Sequence, residues 1–91
     1  ADYSKFCSVV VDIDEDKYGR HFVTLYELKH GDTKVFRCNK SWWYEHNDIK
    51  QGDIIEPIFN KLPQKVLNDE GHWVNSKTET YWELSMWSKV E

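Results

Sequence analysis

An all-β fold, a small closed barrel of five strands with one short helix before the fourth, is what this sequence predicts. Three observations carry the expectation. Residues 6–13, 20–29 and 33–39 are short extended segments separated by compact polar turns. Residues 48–56, Asp-Ile-Lys-Gln-Gly-Asp-Ile-Ile-Glu, end a helix on a glycine and launch an apolar strand. Residues 78–90 form a long alternating segment able to close the sheet.

Composition sets the bounds. A chain of 91 residues supports a single core and little more, so residues 1–91 are read as one domain without linkers or repeats. Aromatics make up 15% and include five Trp, which compensates for small size because each large ring removes roughly 150–250 Å² from water when buried. No apolar run approaches the ~18–20 residues that cross a bilayer, so no membrane partner is expected. The opening residues lack a charged and apolar leader pattern, and cytoplasmic residence is the expectation. Cys7 and Cys38 sit in apolar strand-like segments, where a free thiol packs as a small hydrophobe; a bridge between neighbouring strands is the alternative.

Taking the elements in order, residues 6–13 place Cys7, Val9, Val11 and Ile13 on one face and Ser8 and Asp12 on the other, with Val10 the exception at a barrel corner. Residues 14–19 are a polar turn closed by Gly19, which implies a hairpin. In residues 20–29, Val23 and Leu25 point one way and Phe22, Thr24, Tyr26 and Leu28 the other, the signature of a central strand or one with a binding face. His30-Gly31-Asp32 turns the chain into the third strand, residues 33–39. Ser41 is the expected N-cap of a helix ending near Lys50, with Trp42, His46 and Ile49 on one side and Trp42 plugging a barrel mouth. Residues 54–59 are the fourth strand, with Pro57 at an edge or bulge, followed by an irregular stretch at 60–64. Residues 65–67 and 72–75 flank a four-residue turn and form an extra hairpin. The closing strand then sets Trp82, Leu84, Met86 and Val90 on its core face, with Trp87 opposite.

This order of elements, with Ile49, Lys50, Gly52, Asp53 and Ile54 forming the step into strand four, resembles the OB-fold, a five-stranded Greek-key barrel. The extra hairpin falls where that fold carries its variable loop between strands four and five. The resemblance implies oligonucleotide binding across strands two and three, assisted by the flanking loops. Single-strand binding needs cations along the backbone path and aromatic faces for bases. Arg20, Phe22 and Tyr26 on strand two, Lys34, Phe36 and Arg37 on strand three, and Lys65 and Trp73 on the extra hairpin supply both. Phe22 and Phe36 divide between this role and packing in the core.

Charge gives a mixed signal. The formal net charge is −4, yet residues 17–40 carry six basic side chains against Glu27 and Asp32. The sequence therefore points to a non-enzymatic module that binds single-stranded nucleic acid with little sequence preference, accessory to replication, recombination or a mobile element. A protein partner met through exposed aromatics and the acidic N-terminal turn is the alternative, and an exposed edge strand would allow a homo-oligomer. No catalytic activity, cofactor or metal is expected. His21, His30, His46 and His72 are scattered, the acidic run at residues 12–16 lacks the glycine and closing glutamate of a calcium loop, and no Gly-rich phosphate loop or nucleophile with its base is identifiable.

Overall fold

A computed structural model describes residues 6–90 of the chain. β1 (Ser8–Glu15) pairs antiparallel with β2 (His21–Glu27), and β2 with β3 (Thr33–Cys38). The helix α1 (Lys40–His46) leads to β4 (Ile54–Leu67), which pairs antiparallel with β5 (Trp73–Lys89). Two short seams complete the circuit. β3 runs parallel to β5 through Arg37↔Glu83 and Cys38↔Leu84, and β1 meets β4 through Ser8↔Ile55 and Val9↔Ile54. The result is a five-stranded sheet closed in a ring, in the order β1-β2-β3-β5-β4.

The first hairpin turns where Asp16 collects the backbone. Its Oδ1 accepts from the N–H groups of Tyr18 and Arg20, both at 2.9 Å, and Gly19 takes φ 78°, open to glycine at no steric cost. In β1 the ladder slips between Val10 and Asp12, so that Val11 is an extra, exposed residue and Val10 is fully buried. The simple alternation expected from the sequence put Val9 and Val11 inside; the bulge reverses that assignment. β2 follows its expected pattern, with Val23 and Leu25 in the core and Tyr26 outside.

Asn39, not Ser41, caps α1. Its Oδ1 accepts from the Trp42 N–H at 3.0 Å, while its Nδ2 donates to the Glu83 carboxylate at 3.2 Å, tying the helix start to β5. The helix ends at His46, before Lys50, and the chain reaches β4 through a turn in which Gly52 adopts φ 94° and the Asp53 carboxylate accepts from the Lys50 N–H at 2.9 Å. Ile49, carried by that turn, is buried with Val10, Val23, Ile55, Leu84 and Trp87. Trp42 and Trp43 pack over this core and against Trp87, both with ring centroids 6.3 Å from it. The helix therefore covers one end of the ring.

β4 and β5 are longer than expected. Residues 60–64 are strand, not an irregular stretch, and the extra hairpin is a continuation of β4 and β5 into an arm. The register breaks between Pro63 and Lys65, where β5 spends residues 76–79 against Gln64 alone, and Ser76 Oγ accepts from the N–H groups of Thr78 and Glu79 at 3.2 and 2.9 Å. Beyond this joint, Lys65↔Asn75, Val66↔Val74 and Leu67↔Trp73 form the tip, closed by Asn68, whose Oδ1 accepts from Glu70 and His72 N–H.

A second bulge decides the faces of β5. Ile58 pairs with Met86 and Phe59 with Leu84, so Ser85 is extra and the inward positions shift by one residue. Leu84 and Trp87 are buried, Trp87 at 4% exposure, and Met86 turns outward. Trp82, expected in the core, is 54% exposed because it lies on the arm beyond the ring.

Candidate nucleic-acid interface

β3 and β5 touch only at Arg37 and Cys38; from there they diverge. Residues Thr33 to Phe36 pair with β2 on one side and leave the other edge of β3 without a strand partner, while β5 continues outward paired to β4. The gap between the β3 edge and the arm is an open groove of about 830 Å³.

Seven of the eight residues singled out from the sequence line this groove. Arg20 and Phe22 come from the start of β2, Lys34, Phe36 and Arg37 from β3, and Lys65 and Trp73 from the arm. Tyr26 does not. It lies at the far end of β2, paired with Thr33, with its hydroxyl close to Gly31. The alternation that grouped Tyr26 with Phe22 is correct for the face, but a separation of four residues along a strand is about 13 Å, enough to leave the groove.

Four of the lining side chains are cationic and none is a carboxylate. Arg20 is already engaged, forming an ion pair with Asp16 and lying over the Tyr18 ring at 5.1 Å. Lys34, Arg37 and Lys65 form no ion pair among the described residues. The concentration of positive charge arises from position, since β3 and the arm bring their bases together while the acidic turn at residues 14–16 lies at the other edge of β2.

The aromatic lining differs in burial, and this separates structural from available rings. Phe36 is half-buried and stacks on Phe59 at 4.5 Å, so it serves the core and shows the groove only part of its surface. Phe22 is also half-buried. Trp73, at 69% exposure near the arm tip, has no comparable cover. Tyr81 and Trp82 also line the groove, a placement the sequence reading missed. The signal for it was the polar run Asn75-Ser76-Lys77-Thr78-Glu79-Thr80, hydrophilic on both faces, which marks the first half of β5 as a poor cover for a core. Lys61, opposite Trp82, sets its ammonium 5.8 Å from the indole.

Beside the groove, at the end of the ring away from α1, lies a smaller cavity of about 280 Å³ lined by Phe6, Phe36, Phe59 and Trp82 with Leu25 and Glu27. Cys7 and Cys38 are both free and buried. Burial and the neighbouring Glu83 charge push the Cys38 thiol up to about 12, so it stays protonated at neutral pH and is unsuited to nucleophilic work. Among the described residues no cluster of His, Cys, Asp or Glu could hold a metal ion, and no helix is long and apolar enough to cross a membrane. No protein-family model, curated protein or solved structure matches this chain.

Proposed function

We propose that this chain is an OB-fold module that binds single-stranded nucleic acid along the groove between β3 and the β4–β5 arm, with little dependence on sequence along most of its length. The carrying observation is the lining itself: four cations, five aromatic rings and no carboxylate, in a chain of net charge −4. A strand needs this combination, cations spaced along the phosphates and rings on which bases stack at about 1–3 kcal/mol each. The ring order β1-β2-β3-β5-β4 and the helix between β3 and β4 fit the OB-fold, and the arm stands where that fold varies most.

The test is anisotropy titration with a labelled oligothymidine at low and moderate salt. Affinity is expected to fall as salt rises. Trp73→Ala is expected to weaken binding by roughly 1–3 kcal/mol, whereas Tyr26→Ala, outside the groove, leaves it unchanged. No binding at low salt would overturn the reading. A protein partner is the second reading, favoured by the exposed pair Ile58 and Met86 on the outer surface of β4 and β5. A loss of partner capture on Ile58→Lys, with no oligothymidine binding, would be its mark.

A further inference from the structure

The ring has two ends, and only one is filled. At the end away from α1 the cavity of about 280 Å³ is close to the lower limit of ligand pockets, roughly 300 Å³, and far larger than the ~30 Å³ share of one water. It has room for a flat ring system. Three aromatic side chains, Phe36, Phe59 and Trp82, supply its walls, and it shares Lys34, Phe36 and Trp82 with the groove. A base leaving the groove thus has a short path into it.

One polar group in this cavity is unsatisfied. Glu27 is only 8% exposed, and the two carboxylate oxygens differ. Oε2 accepts from the His30 N–H at 3.2 Å; Oε1 has no hydrogen-bond partner. A buried carboxylate oxygen left without a donor is costly, so the site favours a ligand that brings one. Asp32 adds a second carboxylate to the lining, and Lys34 places a single donor at the junction with the groove.

We infer that this end of the ring is a base pocket that admits one nucleobase of the bound strand and prefers guanine. Guanine presents two neighbouring N–H donors to a carboxylate and a carbonyl oxygen to a lysine. Thymine presents one donor flanked by two carbonyl oxygens, which a carboxylate repels. Cytosine and adenine each bring an amino donor beside a ring-nitrogen acceptor, and so offer the carboxylate one donor fewer than guanine. The purine also covers more of the Phe36, Phe59 and Trp82 surface. The inference rests on the groove reading above and adds to it a single position of base preference within an otherwise tolerant strand.

The experiment compares oligothymidine with the same strand carrying one central guanine, cytosine or inosine, against the parent protein and Glu27→Gln. The guanine strand is expected to bind about tenfold more tightly than oligothymidine, and the inosine strand, lacking the 2-amino donor, to lose most of that gain. In Glu27→Gln the His30 N–H still requires an acceptor, which the amide oxygen supplies, so the amide nitrogen becomes the group left for the ligand. The guanine gain should vanish while oligothymidine affinity is kept or rises, which also reports that the variant is folded. If oligothymidine binds but guanine gives no gain, if cytosine does as well, or if the gain survives Glu27→Gln, the pocket is overturned and the groove stands. If no strand binds at low salt, the groove reading fails, and the pocket with it.

Discussion

The two ends of the ring are built from the same kind of side chain and come to opposite results. At the helix end Trp42 stacks on His46 with centroids 3.8 Å apart, Trp43 stacks on His21 at 4.3 Å, and both close over Trp87. At the other end Phe59 meets Phe6 at 6.1 Å and Phe36 at 4.5 Å, yet a cavity remains beside them. The difference is a tethered cover. α1 follows β3 directly and brings two indoles onto the core, whereas the described residues provide no such element at the far end. Aromatic rings thus complete a core where the chain supplies a cover and line a site where it does not. Each end also keeps unpartnered buried polar atoms, the indole N–H groups of Trp42 and Trp87 under the helix and the Glu27 oxygen beside the cavity. Rings surround the first; the second adjoins open volume.

The largest expected effect tests this division directly. Trp87→Ala removes a side chain 4% exposed and in contact with both helix indoles, and should cost about 3–5 kcal/mol in urea unfolding, a large share of a small domain's stability. Trp82→Ala removes an equally large side chain that is 54% exposed and should change stability by no more than about 0.5 kcal/mol, while weakening oligothymidine binding. Equal losses of stability from the two substitutions would break the comparison, because Trp82 would then be core.

A smaller effect is expected at the cap. Asn39 both caps α1 and donates to Glu83, a carboxylate only 9% exposed, so Asn39→Ala should cost about 1–3 kcal/mol from the lost cap and the stranded oxygen together. Its sharper signature is local. Hydrogen exchange should rise in α1 while oligothymidine affinity holds, since the groove lies on the far side of β3. Ser41→Ala, the cap that the sequence suggested, should leave both measurements unchanged.

The five strands, the helix and the turn at Gly52 were legible because alternation and turn chemistry are local properties. The core faces of β1 and β5 were not. Each strand contains one extra residue, Val11 and Ser85, and a bulge of that kind reverses inward and outward for everything beyond it. Its position depends on the partner strand, so no window of sequence displays it. Seven of the eight candidate residues converged because strand order put β2, β3 and the arm together, a consequence of topology once the topology is right. Tyr26 failed because alternation reports a face and says nothing about distance along it. The cavity beside Glu27 was invisible for a related reason: an unfilled volume is a property of what five strands leave between them, and the sequence names only what is there.

The smallest effect concerns charge at the turn that binds α1 to β4. Asp53 accepts from the Lys50 N–H and lies 3.4 Å from the Lys89 ammonium; the first holds its carboxyl below the usual carboxylate range, and the lysine charge assists against the opposing effect of desolvation. A carboxyl lowered on folding contributes stability above its unfolded value near 3.9 and loses that contribution as pH falls through the lower folded value. Asp53→Asn keeps an oxygen for the Lys50 N–H and removes only the charge. The variant should therefore be slightly less stable than the parent at pH 7, and the difference should close between about pH 4 and pH 2 in urea titrations. Lys89 supplies the complementary limb. Its ammonium, partly desolvated but held by the Asp48 carbonyl and carboxylate and by Asp53, has its pKa raised, so its contribution is complete below the usual lysine value near 10.4 and lost as pH rises beyond the folded one. Oligothymidine binding should be indifferent to Asp53→Asn at neutral pH. A variant that altered strand affinity as much as stability would show that the helix end and the groove are energetically joined, and the two ends of the ring would have to be treated as one unit.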